Sequence, residues 1–124
     1  MANIKTKPSR YDLEERTVKF AENVIDIVRF VKIDAVNKKI IEQLIGSSGS
    51  VGANYCEATE AESKKDFAHK MGICKKELKE TKHWLKLLAR SNPDLNEGIK
   101  KMWKEAHELL LISAKSIRTS RGDN

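Results

Sequence analysis

The sequence predicts an all-α protein, a single domain over residues 1–124 folded as an antiparallel up-down-up-down four-helix bundle. Three observations carry this expectation. Apolar residues recur at spacings of three and four in four successive segments. No stretch alternates with period two for long enough to suggest a strand. Short polar breaks separate the segments, and helices joined by short connections pack as antiparallel neighbours.

The first helix is expected over about residues 10–32. Ser9 with Asp12 three residues later reads as a capping box. Leu13, Thr17, Phe20, Val24, Ile27 and Val31 form its stripe, widened by Ala21, Ile25 and Val28. Asp34 caps the second helix, about 35–60, where Val36, Ile40, Leu44, Ser47 and Val51 keep the rhythm. The third, about 64–90, opens on Ser63-Lys64-Lys65-Asp66, another capping box. Phe67, Met71, Cys74, Leu78, Thr81, Leu85 and Leu88 follow in strict four-three alternation. SNPD at 91–94 ends that helix and starts the last, about 93–118, with Asn92 as cap and Pro93 at its first position. Ile99, Trp103, Ala106, Leu110, Ser113 and Ile117 form the final stripe, and the tail TSRGDN reads as frayed.

GSSGSVG at 46–52 has the composition of a flexible linker. Its phase argues for helix: Leu44, Ser47, Val51 and Ala58 share one side, and no proline intervenes between Pro8 and Pro93. Each of Gly46, Gly49 and Gly52 then costs about 1 kcal/mol relative to alanine. Packing must offset that cost, so close helix approach is expected at Gly49, Ser50 and Ala53.

The longest apolar run, LLLI at 109–112, is far short of a membrane span. MANIKTKPSR lacks the apolar core of a signal peptide. A cytoplasmic protein with no membrane partner is therefore expected. Cys56 and Cys74 share no metal-binding or disulfide-framework spacing and read as reduced thiols. The net charge of +6 is uneven: residues 1–62 carry 9 Lys/Arg against 10 Asp/Glu, and residues 63–124 carry 15 against 8. Such an excess on one half suggests a face directed at a polyanion.

SSGSVGANYCEATEAESKKDF resembles the signature of the four-helix-bundle proteins associated with intervening sequences in 23S ribosomal RNA genes. Ser50, Val51, Ala53, Asn54, Glu57 and Ala58 match it, as do Ser63, Asp66 and Phe67 after a short break. Glu77, Glu80, Thr81, Trp84 and Leu85 continue the similarity, which extends more loosely to DLEERTVKFAENVI and EAHELLLISAKSI. Gly46 replaces a usual arginine, Tyr55-Cys56 an Ile-Ala pair, and Ala61 or Glu62 an arginine before the cap. The resemblance implies a left-handed bundle that assembles into a ring, usually a homopentamer, in the bacterial cytoplasm, with an unsettled biochemical role. Accessory proteins of diversity-generating retroelements, basic pentamers that bind nucleic acid, are similar in architecture.

On a wheel of about 100° per residue, the apolar stripe of the third helix marks the core, while Ile73, Trp84 and Leu87 fall on the far side. This second patch points to a subunit interface, because a monomer would leave it in water. Lys75, Lys79, Lys82, Lys86 and Arg90 step by four, three, four and four along a further arc. Like charges so placed repel by a few tenths of a kcal/mol per pair, a cost that an anionic backbone relieves. With few aromatics beside the row, contact with RNA or DNA is expected to be backbone-driven.

Enzymatic chemistry is not expected. Glu80-Thr81-Lys82-His83 is one Glu-x-x-His, but a di-metal bundle needs a second, and Lys104 stands where His107 would require glutamate. His69 completes a set of three histidines with no nucleophile at a suggestive spacing, and there is neither a P-loop nor GxGxxG. No cofactor or metal is implied. Asn54 and Glu57 read as a hydrogen-bonded lock between helices or at a helix end. The sequence thus predicts a non-enzymatic oligomeric protein, a basic nucleic-acid-associated accessory factor. The alternative is a protein-interaction scaffold whose lysines only aid solubility.

Overall fold

The computed structural model describes the chain from Arg10 to Gly122, with side chains from Leu13 onward. It contains four α-helices and no strands among the described residues: α1 (Arg10–Val28), α2 (Ala35–Thr59), α3 (Lys64–Ser91) and α4 (Asn96–Ser120). A short 3-10 turn, Pro93–Leu95, precedes α4. The predicted Ser9–Asp12 box lies outside the described residues. The other two caps form: Asp34 Oδ1 accepts from Asn37 N at 2.7 Å, and Ser63 Oγ from Asp66 N at 3.0 Å. Each satisfies one of the N–H groups that a helix start leaves unpaired.

One apolar core joins the four helices. Phe20 and Val24 of α1, Leu44 and Val51 of α2, Met71, Leu78, Leu85 and Leu88 of α3, and Ala106 and Leu109 of α4 are essentially inaccessible. α3 packs extensively on α2 and α4; α1 meets α2 and, more sparsely, α4. Polar groups inside are mostly paired, as burial favours; among the described residues the buried indole Nε1 of Trp103 has no partner. Thr81 Oγ1 lies 2.9 Å from Ser47 Oγ and 2.8 Å from the Glu77 carbonyl, and Cys74 Sγ lies 3.5 Å from the Val51 carbonyl. Burial pushes the Cys74 thiol up to about 12, so it stays protonated at neutral pH.

GSSGSVG is helical throughout. The close approach, however, is one step away from the expected residues. Gly49 and Ala53 face outward, and a Cβ on Gly46 or Gly49 would meet nothing within 4 Å. A Cβ on Gly52 would stand 3.2 Å from Thr17 Oγ1, so Gly52 is where α1 and α2 come together. Ser47 and Ser48, both buried, fill the core side.

Other expectations need adjustment. α1 ends at Val28 rather than 32: Phe30 N donates to the Ile27 carbonyl and Val31 N to the Val28 carbonyl, which closes the helix in a turn. Val31 is still buried, but Ile25 is exposed. Val36 is exposed and Asn37 takes the inner position. In α3 Phe67 is half-buried and Ala68 buried. In α4 the buried stripe runs through Met102 and Leu109, leaving Trp103 and Leu110 half-buried at its edge. Asn92 makes no side-chain cap; its amide bonds Asn37 and the Leu88 carbonyl instead. The predicted frayed tail is helical to Ser120 and closes at Gly122, whose φ of 80° suits glycine.

Candidate nucleic-acid interface

Lys75, Lys79, Lys82, Lys86 and Arg90 project from the side of α3 that adjoins α4. Lys79, Lys86 and Arg90 are exposed, and Lys75 and Lys82 half-buried. Among the described residues the ion pairs are Arg16 with Glu105 and Glu108, and Lys70 with Glu57. None of the five row residues takes part in one. The row spans about 22 Å at 1.5 Å per residue.

Lys82 is the one member held in place. Its Nζ is 2.8 Å from His107 Nδ1 and 4.4 Å from the centre of the Trp103 ring, which stacks on His107 at 5.5 Å and 9°. An ammonium can only donate, so Nδ1 accepts and the proton of a neutral His107 sits on Nε2. Desolvation lowers the Lys82 ammonium from its ordinary value, and the charges of Lys86 and Lys79 push the same way. That repulsion records a concentration of positive charge without an internal counterion.

α4 extends the face, a contribution that the reading of α3 alone missed. Trp103 and His107 fix which side of α4 adjoins Lys82. Lys100, Lys104 and Arg118 lie within about 100° of Trp103 on that side, and all three are exposed. Their spacing from His107, seven and three residues before it and eleven after, was the available signal.

The predicted apolar patch is only partly open. Trp84 is half-buried against the core with His83 edge-on at 4.9 Å, Ile73 is half-buried, and Leu87 is 39% exposed. Of the signature residues, Asn54 donates to the Ser50 carbonyl within its own helix at 2.9 Å, while Glu57 reaches Lys70 of α3 at 2.7 Å. Hydrogen bonding to Glu57 raises the Lys70 ammonium above its ordinary value. Ser63 caps α3; Asp66 and Phe67 sit in its first turn. The outward side of α2 is unusual: residues 43–56 carry no Asp, Glu, Lys or Arg, and Gly46, Gly49, Ala53 and Cys56 are exposed. Glu80 and His83 are exposed, and no group of three His, Cys, Asp or Glu among the described residues is placed to hold a metal.

The family model for 23S rRNA-intervening sequence proteins matches residues 10–115, most of the chain. The chain belongs to that family. Among solved structures, it is similar to a protein of unknown function from the S23 ribosomal protein family of Bacteroides thetaiotaomicron, at 28% identity and a TM-score of 0.73. That match covers 85% of this chain and 97% of the other. No curated protein matches the chain. Family membership thus rests on the whole helical framework, including the SSGSVGAN segment, whereas Arg118 lies beyond the matched residues.

Proposed function

We propose that this family member is a non-enzymatic, homo-oligomeric accessory protein that binds the sugar-phosphate backbone of RNA or DNA. The observation that carries the reading is the row Lys75, Lys79, Lys82, Lys86 and Arg90, unpaired by any acid among the described residues although the chain has 18 Asp and Glu. Lys100, Lys104 and Arg118 widen it into a face shared by two helices. Selecting backbone over bases follows from the side chains: flexible cations neutralise phosphates and read no sequence. The bundle is antiparallel, up-down-up-down and left-handed in this reading. Contacts between Glu57 and Lys70, Ser47 and Thr81, and Asn37 and Asn92 support opposed directions for α2 and α3. A cytoplasmic ring, five copies in the family pattern, repeats the basic face around its outside.

Affinity for a random-sequence RNA and DNA, measured by fluorescence anisotropy across salt concentrations, tests this. Binding should fall linearly with log salt at a slope of about 0.7 to 0.9 per phosphate contacted. The triple change Lys79→Glu, Lys82→Glu and Lys86→Glu should weaken binding at least about tenfold and flatten that slope by two or more. Absence of binding at low salt would remove the proposal.

A second reading, a scaffold that binds proteins, is favoured by one observation: the uncharged outward side of α2 over residues 43–56. A solvated helix face ordinarily carries charge, and exposed glycines weaken a helix without compensation. If the triple Glu variant keeps full biological activity while nucleic-acid binding is lost, the scaffold reading replaces the first.

A further inference from the structure

The three most exposed large apolar side chains among the described residues are Phe30 at 78%, Ile33 at 68% and Val36 at 60%. All three lie within seven residues, where α1 turns into α2. Single exposed apolar residues are ordinary, but three together form a patch. The patch is fixed in place by its surroundings. Phe30 N and Val31 N bond back to Ile27 and Val28, and Val31 is buried. Asn37 Nδ2 holds the Lys32 carbonyl at 2.9 Å, and Asp34 caps α2. The turn therefore directs one apolar side chain inward and three outward as a property of its folded conformation.

The segment that carries the patch is itself cationic. Arg29, Lys32, Lys38 and Lys39 are exposed, and Asp34 is the one acid between residues 29 and 39. Its Oδ1 already accepts from the α2 backbone. Two copies meeting tip to tip would bring eight cations together, which argues against an isologous contact here. A protein partner would need a concave apolar pocket rimmed by acids. An anionic bilayer supplies the same layering over any flat area: phosphates outside, acyl chains within.

We propose that the α1–α2 tip is a peripheral docking site for anionic lipid bilayers. Phe30 and Ile33 enter the headgroup boundary, Val36 lies behind them, and Arg29, Lys32, Lys38 and Lys39 meet the lipid phosphates. No helix among the described residues is long and apolar enough to cross a membrane. The sequence expectation of no membrane partner rested on the lack of a span, and surface contact needs none.

Co-sedimentation of the full chain with vesicles is the test, using phosphatidylcholine alone or mixed with phosphatidylglycerol, at low and high salt. The expected result is binding to the mixed vesicles, weaker by about tenfold or more on phosphatidylcholine and reduced by salt. Phe30→Ser with Ile33→Ser should abolish it without altering the circular dichroism, since both side chains are exposed. In Phe30→Trp, mixed vesicles should shift the added indole emission to the blue, measured as a difference from the parent chain. Any of three results overturns the proposal: no vesicle binding by the parent chain, unchanged binding by the double Ser variant, or loss of RNA affinity or assembly mass in that variant with vesicle binding intact.

Discussion

Asn37 sits 3% exposed and spends both ends of its amide. Nδ2 donates to the Lys32 carbonyl, while Oδ1 accepts from Ser91 Oγ at 2.7 Å and Asn92 Nδ2 at 3.0 Å. One side chain thereby joins the α1–α2 turn to the α3–α4 turn. Asn37→Ala would take the side-chain partner from Ser91 Oγ and the Lys32 carbonyl and leave the Asn92 amide only its bond to the Leu88 carbonyl, so it should destabilise the chain by about 2–3 kcal/mol in urea unfolding. An effect under 0.5 kcal/mol would show that water replaces the network. Apolar identity alone favours Val36 for this inner position. Spacing alone points to Asn37, which precedes Ile40 by three and Leu44 by seven. A polar residue in register with a buried stripe was the overlooked signal. Cys74 was placed correctly by the same rhythm, with a stability consequence. Its pKa is raised on folding, so its contribution is complete below the ordinary thiol value and is lost as pH rises toward about 12.

At the scale of elements, four helices and the inner residues of α3 were legible because a 3.6-residue repeat must follow from burying one side of a helix. Boundaries were less so. The end of α1 depends on the turn bonds of Phe30 and Val31, and a 3-10 start to the last segment depends on Asn92 bonding elsewhere. Neither has a distinctive composition. For the candidate site, the charges of α3 were readable from spacing, but their adjacency to Lys100, Lys104 and Arg118 required knowing how α3 and α4 meet. The glycines of α2 separate two roles that composition merges. Gly52→Ala introduces a contact at 3.2 Å with Thr17. Gly49→Ala meets nothing in the subunit and should stabilise it by about 0.5–1 kcal/mol, read from thermal unfolding at low concentration. If the outward side of α2 packs against another copy, the same substitution should also weaken assembly.

For the molecule as a whole, the basic face of α3 and α4 and the uncharged side of α2 lie on different flanks, so binding a polyanion and assembling need not compete. Light scattering checks whether the chain assembles and whether the α3 patch at Trp84 takes part. The parent chain should give the mass of a discrete ring, and Trp84→Ala, which truncates a side chain beside exposed Leu87, should lower it. A stable monomer for the parent chain, or an unchanged mass for the variant, would remove Trp84 from any interface.

α1 is the most lightly anchored helix. Beyond its apolar stripe it is tied to α4 by Arg16, whose guanidinium reaches Glu105 at 2.8 and 3.1 Å and Glu108 at 2.5 Å. Gly98 fits against Ile27 at the other end of the same seam. These surface ion pairs add at most about 1 kcal/mol each. The protein should therefore open from α1 inward, with α1 amides exchanging with deuterium before those of α3, and earlier still when salt screens Arg16. Such a sequence would leave α2, α3 and α4 as the last structure to dissolve, a core that holds its shape while the first helix breathes.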